Sequence, residues 1–286
     1  MRRKAYHLTV VTVLYTSTTI VCAVLIFLIG VILWRGAPHL TLRFLTTEES
    51  ILQNTVGILP GIVNTLFVII LTLAIALPPG IGAAIYLTEY TGNRAFVRLI
   101  EFAVDTLAAI PSIIYALVGV IIFCTGMGLQ KTLLSASLTL AIMILPTVIR
   151  TTGESLKTVP QSYREGALGL GAGKWRMIRT VVLPSSVSGI LTGCILSVGR
   201  VIGESAVLLY TAGLSTTMQN FAPGSIAKAS GATLSSALYI YAKERSDPDT
   251  AFAIAVLLLL LTIAINLATG LIEKKFKRSE RNPHEG

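Results

Sequence analysis

Residues 64–87 read NTLFVIILTLAIALPPGIGAAIYL, 24 residues without a charged side chain. About 20 apolar residues in a helix cross a hydrocarbon core of ~30 Å. Hydrocarbon offers no partner to a backbone N–H or C=O, so a spanning segment must be a helix or a strand of a closed barrel. The apolar character here is continuous and not alternating, which excludes the barrel. Five further stretches read the same way: 13–34, 102–123, 133–149, 187–210 and 251–272. The expectation is an all-α integral membrane chain of six transmembrane helices, with residues 1–286 forming a single transmembrane domain.

Composition agrees. Of 286 residues, 53% are hydrophobic and 13% charged, against roughly 25% charged in soluble domains, and the mean hydropathy is +0.76. The formal charge of +9 sits between the apolar runs, which suits topology signals beside anionic lipid better than nucleic acid. Cys22, Cys124 and Cys194 lie inside apolar runs without CxxC spacing, and read as small apolar side chains. His7, His39 and His284 are scattered outside those runs, which argues against a metal cluster. The first run follows Arg2, Arg3 and Lys4 as a secretory signal would. It is too long for one and no small-x-small cleavage site follows, so it reads as a true span.

Basic residues in alternate loops set the orientation. With the N-terminus in the cytoplasm, sixteen of the 23 Lys and Arg fall inside and six outside, while Arg200 lies within a span. That asymmetry predicts both termini in the cytoplasm. The largest outer segments are 35–63 and 211–250, and the largest inner loop is 150–184.

Within that loop, residues 158–184 read TVPQSYREGALGLGAGKWRMIRTVVLP. Pro160 suits the first turn of a short helix, where its missing N–H is not needed. Gly169, Gly171 and Gly173 then break it, since glycine tolerates the left-handed turn that ends helices. A second amphipathic stretch follows, with Trp175, Ile178 and Val182 on one face, and Pro184 is expected to end it. The run GLGAGK is not a nucleotide loop. G-x4-G-K-[ST] needs glycine where Leu168 stands and a hydroxyl where Trp175 stands.

The spacing E-x-A-x3-G-x9-V-x-L-P, from Glu165, Gly166 and Ala167 through Gly171 to Leu183 and Pro184, resembles the EAA loop of bacterial ABC importer permeases. Gly166 replaces that motif's first alanine, and Val181 its usual isoleucine. Segments 59–90, 107–119, 145–184 and 190–213 are similar to the phosphate-specific permeases of the PstA type, with Asn64 a departure. The resemblance implies a type I importer permease of the bacterial or archaeal cytoplasmic membrane, whose loop docks on an ATPase. It implies a second related permease as heterodimer partner, two cytoplasmic ATPase subunits, an external phosphate-binding protein and phosphate as substrate. ATP and Mg would sit on the ATPase, with no cofactor bound by this chain. Molybdate or sulfate is the alternative cargo.

Arg200 and Glu204 are four apart, so an unbroken fifth span carries both on one face. A lone central charge costs about 2.5–3.5 kcal/mol on insertion scales, which leaves two readings open: a structural ion pair, or Arg200 offering its guanidinium fork to phosphate oxygens. Asp105, near the cytoplasmic end of the third span, is a gating or inter-subunit candidate. Ser112 and Tyr115, after Pro111, would add hydroxyls to the path. Pro78, Pro79, Pro111 and Pro146 each favour a kink. Intramembrane enzymes are disfavoured: no span holds a histidine, no H-E-x-x-H occurs, and only Asp105 approaches an intramembrane aspartate pair. We predict that Lys174→Cys, in a background lacking Cys22, Cys124 and Cys194, resists membrane-impermeant thiol reagents in intact cells. Ready labelling would reverse the orientation.

Overall fold

The computed structural model describes residues 2–49, 57–216, 225 and 228–281. Parts of both long outer segments (50–56, 217–224 and 226–227) and His284 lie outside the described residues. Helices follow in the order α1 (Arg2–Gly36), α2 (Leu42–Thr46), α3 (Leu59–Ile85), α4 (Arg94–Ala109), α5 (Ser112–Gly119), α6 (Leu133–Thr158), α7 (Gln161–Gly169), α8 (Lys174–Met177), α9 (Leu183–Gly203), α10 (Ala206–Thr211), α11 (Leu234–Tyr239) and α12 (Pro248–Arg281). Wider π-helical turns extend α3 over Tyr86–Tyr90, α5 over Val120–Gly126 and α11 over Ile240–Glu244, and join α8 to α9 over Ile178–Val182.

α6 is the central post. Leu133, Ala136, Leu140, Met143 and Ile144 are fully buried, and α3, α4, α5, α9 and α10 all pack on it. Between apolar helices in lipid, association rests on close van der Waals approach, which small residues permit. A Cβ at Gly119 would collide with Thr139, one at Gly193 with Thr151, and one at Gly189 with Ser155. Glycines on α5 and α9 thus admit three hydroxyl-bearing side chains of α6. α1 stands at the edge and meets α12 near Gly36, where Arg35 lies 5.3 Å over the Phe252 ring.

Among the described residues five helices, counting α8–α9 as one, are long and apolar enough to cross a membrane, and the third predicted span is a bent pair. The single helix expected over 102–123 breaks at Ile110–Pro111, where α4 and α5 meet at 94°. Ile110, preceding a proline, is extended (φ −67°, ψ 130°), and the Tyr115 hydroxyl donates to the Leu107 carbonyl across the bend at 2.8 Å. The helices continue through Pro78, Pro79 and Pro146 without ending. Nor does Pro184 end its stretch: the chain is helical from Lys174 to Gly203, and the π turn lies just before the proline, whose missing N–H would have faced the Thr180 carbonyl. The helix expected to end at 149 continues to Thr158, so the loop expected on the inner side begins at Val159. The fifth span starts earlier than 187 and stops at Gly203.

Far from that loop, Arg245 pairs with Glu49 and stacks 4.7 Å over the Tyr241 ring, which ties the chain after α2 to the end of α11. Burial and the Glu49 carboxylate push the Tyr241 phenol up to about 12, so it stays protonated in this clasp. We expect Gly193→Ala to lower the thermal midpoint in detergent, by overpacking worth about 1–3 kcal/mol. Thr151→Ala in the same chain should restore much of the loss. A single variant as stable as the parent would refute the α6–α9 contact.

Candidate coupling loop and translocation site

The inner loop is built by its own backbone and one arginine. Pro160 (φ −58°, ψ 141°) opens α7. At the other end Gly171 takes φ +82°, its N–H bonds the Leu168 carbonyl at 2.9 Å, and the Ala172 N–H reaches Ala167 at 3.1 Å. These two bonds are the Schellman closure, which needs a left-handed residue at that position. Gly173 is extended and starts α8.

Arg164 holds this hairpin against the helices above. Its Nη2 donates to Glu89 Oε1 at 2.8 Å and its Nε to both Glu89 oxygens at 3.2 and 3.3 Å. Nη1 also donates to the Val159 carbonyl at 2.6 Å and Nη2 to that of Leu156 at 2.8 Å. The side chains are 14% and 6% exposed. One guanidinium therefore closes the C-terminus of α6 and neutralises the carboxylate at the end of α3. Sequence reasoning counted Arg164 only as a topology charge. The available signal was Glu89, an acid ending a long apolar run at the same membrane level.

The motif residues divide by exposure. Ala167 and Leu183 pack on the cluster of Leu156, Met177, Ile178 and Val182. Glu165, Gly166, Gly171 and Pro184 are exposed. Trp175, expected on the buried face with Ile178 and Val182, is 58% exposed, and Met177 fills its place at 2%. In the π turn each residue advances less than in an α-helix, so a face read at 3.6 residues per turn does not carry across it.

The five candidate pathway residues are not one group. The expected Arg200–Glu204 ion pair is not formed. Because α9 stops at Gly203, Glu204 is extended (φ −81°, ψ 114°), and its Oε1 accepts the N–H groups of Ala206 and Val207 at 3.0 and 3.2 Å. Those unsatisfied donors at the start of α10 favour a carboxylate. Ser235 Oγ donates to the Glu204 carbonyl at 3.1 Å. Arg200, half-buried on the last turn of α9, has no carboxylate partner among the described residues. Ser112, half-buried, begins α5. Asp105 belongs elsewhere, pairing with Arg150 at 3.3 Å in an exposed ladder that includes Arg150–Glu154 and Lys157–Glu101. Among the described residues no cluster of His, Cys, Asp and Glu suits a metal.

Residues 76–278, which hold both the hairpin and Arg200, match the family model of the binding-protein-dependent transport system inner membrane component. The chain belongs to this family. The permease is a multi-pass inner-membrane protein. It is 33% identical over 267 residues to the phosphate transport system permease protein PstA of Mycobacterium leprae, covering 88% of this chain and 84% of that one. The same protein type from Mycobacterium tuberculosis, PstA 1 of strain H37Rv, is 30% identical over 99% of the permease and 92% of the relative. A probable ABC transporter permease protein, YqgI of Bacillus subtilis, is 34% identical over 71% and 69%. By this likeness the chain belongs to the PstA type. Among solved structures, an inward-facing MetNI methionine ABC transporter superposes with a TM-score of 0.60 at 19% identity, over 77% of the permease and 94% of that chain. A bacterial alginate ABC transporter gives 0.58 at 16% identity, over 90% and 95%. The fold is that of type I ABC importer permeases.

We predict that Arg164→Ala speeds limited proteolysis between 160 and 173 in the purified permease, because it strands Glu89 and removes the side-chain donors to the Val159 and Leu156 carbonyls. Breaking a buried pair costs about 3–5 kcal/mol. Glu89→Gln should cost less, since Arg164 keeps both carbonyl contacts. Equal protection in all three proteins would show that the staple does not hold the hairpin.

Proposed function

We propose that the chain is the permease subunit of an importer for inorganic phosphate, driven by a separate ATPase and moving its substrate into the cell. Both termini are then cytoplasmic, the chain acts as one transmembrane domain, and it catalyses no chemistry itself. The observation that carries the substrate is the likeness to PstA relatives over nearly the whole chain. Arg200 fits it chemically: a half-buried guanidinium free of carboxylates retains its fork for an oxyanion.

The hairpin supplies the coupling. Glu165, Gly166 and Gly171 stand on its open side, beside Tyr163 and Leu170 at 55% and 91% exposure. A protein surface that bares such apolar side chains on a rigid, Schellman-closed helix suits a partner groove. That partner is the ATPase, which brings ATP and Mg. A second permease completes the pathway, and an external phosphate-binding protein delivers the anion. Ser112 and Tyr115 line the path beside Arg200. Glu204 holds α10 in place, and Asp105 gates from the inner side.

The experiment is uptake by the reconstituted complex of permease pair, ATPase and binding protein. Radiolabelled phosphate should accumulate with ATP and resist competition by molybdate or sulfate. Arg200→Gln should lower uptake per assembled complex by about tenfold to a hundredfold, as loss of a charged hydrogen bond is worth ~1.5–3 kcal/mol. Glu204→Gln should transport nearly normally, because the amide oxygen accepts the same two N–H groups. Normal uptake by Arg200→Gln ends the pathway role. Effective competition by molybdate reassigns the cargo.

A further inference from the structure

Beside the hairpin lies a cavity of about 470 Å³ that no step of transport has used. It is walled by the turn after α3, the end of α6, the flank of α7 and the start of α8, and its volume falls in the ~300–1,000 Å³ range of small-ligand pockets. Lys157, Arg164 and Lys174 bring three cations to its lining, and Glu89 is the one carboxylate there. Glu89 is already saturated by the Arg164 fork. Lys157 leans to Glu101, outside the lining, at 3.0 Å, with both side chains about half exposed. Lys174 has no carboxylate partner among the described residues, and its ammonium sits 5.0 Å over the Tyr90 ring. The lining is thus positive, with Leu87, Leu168 and Met177 as its apolar wall.

Two observations separate this cavity from the ATPase-docking face. Gln161, Arg164 and Leu168, which line it, are spaced i, i+3, i+7 on α7. Tyr163, Gly166 and Leu170 repeat that spacing two residues on, which is the opposite side of a helix. Tyr86 and Tyr90, stacked with centroids 6.5 Å apart and both exposed, bracket the lining residues Leu87, Thr88 and Glu89 in sequence, and exposed Trp175 follows Lys174. Tyr and Trp in such a group mark the headgroup level of a bilayer, and basic pockets between helices at the cytoplasmic level take lipid headgroups.

We propose that this cavity binds a phosphate group on the cytoplasmic side, held by Lys174 and Lys157 and carried either by an anionic phospholipid or by free phosphate. It rests on the cytoplasmic placement of the hairpin and not on phosphate being the cargo. Bound there, the group would clamp α7 to α3 and α6 at the point where Arg164 already joins them.

The test uses the assembled importer without its binding protein, in nanodiscs of phosphatidylcholine, titrated with spin-labelled phosphatidylglycerol or spin-labelled phosphatidylcholine. Wild-type complex should retain phosphatidylglycerol over phosphatidylcholine. Lys157→Gln with Lys174→Gln should weaken that retention about twenty-fivefold, each interfacial lysine contributing roughly fivefold. Lys174→Arg should keep it. Both lysines are exposed, and co-purification of the ATPase reports assembly of each variant. Displacement of the label by millimolar inorganic phosphate assigns the site to free phosphate, and retention in its presence assigns it to the lipid. Retention unchanged in the double variant, or equal retention of the two lipids by a complex that also binds no more radiolabelled phosphate than the double variant, overturns the proposal whatever the uptake assay shows.

Discussion

A helix end inside or beside hydrocarbon exposes donors and acceptors that water would otherwise satisfy, each at a cost of several kcal/mol. Most of the irregular features of this chain answer that constraint. At the bend between α4 and α5 the Tyr115 hydroxyl takes the Leu107 carbonyl. Before α6, Thr132 Oγ1 accepts the Ser135 N–H and Ser135 Oγ donates to the Gln130 carbonyl. At the end of α6, Arg164 takes two carbonyls. Between α9 and α10, the Glu204 carboxylate takes two N–H groups. Thr233 and Ser236 form a reciprocal capping box before α11.

This closure turns breaks into fixed joints. A bend of 94° whose Leu107 carbonyl accepts both the Ile110 N–H and the Tyr115 hydroxyl is a shape, not a weakness. The same holds for the hairpin, where backbone bonds around Gly171 set the turn and Arg164 sets the angle to the bundle. A push on α7 therefore acts directly on the ends of α3 and α6, and α6 packs on α3, α4, α5, α9 and α10. The central post and its stapled foot form one mechanical unit running the length of the bundle.

Electrostatics divides along the same line. Glu89 with Arg164 is buried and multiply bonded, so each charge depends on the other. The Asp105, Arg150, Glu154, Glu101 and Lys157 ladder is exposed, and pairs of that kind are worth about 0–1 kcal/mol each. Weak pairs between α4 and α6 can exchange partners as the helices move, whereas the staple cannot. Arg200 stands apart from both sets, a cation without a carboxylate partner among the described residues, since Glu204 is committed to the start of α10.

The run at 64–87 and its five counterparts determined an all-helical membrane chain, because continuous apolar length is a local property that the bilayer reads directly. The glycine spacing of 169–173 determined the hairpin, since a left-handed turn is demanded by the backbone itself. Tertiary structure decided the rest. Four prolines carried the same local signal, yet the helix breaks only at Ile110–Pro111, while Pro78, Pro79 and Pro146 lie inside continuous helices. Glu204 lay at ion-pairing distance from Arg200 only if the helix continued, and helical spacing cannot report where a helix stops. Arg164 and Glu89 are 75 positions apart, so no local pattern joins them. Which charge meets which is settled by the crossing of α3, α6 and α7, and the free state of Arg200 is a consequence of the same packing.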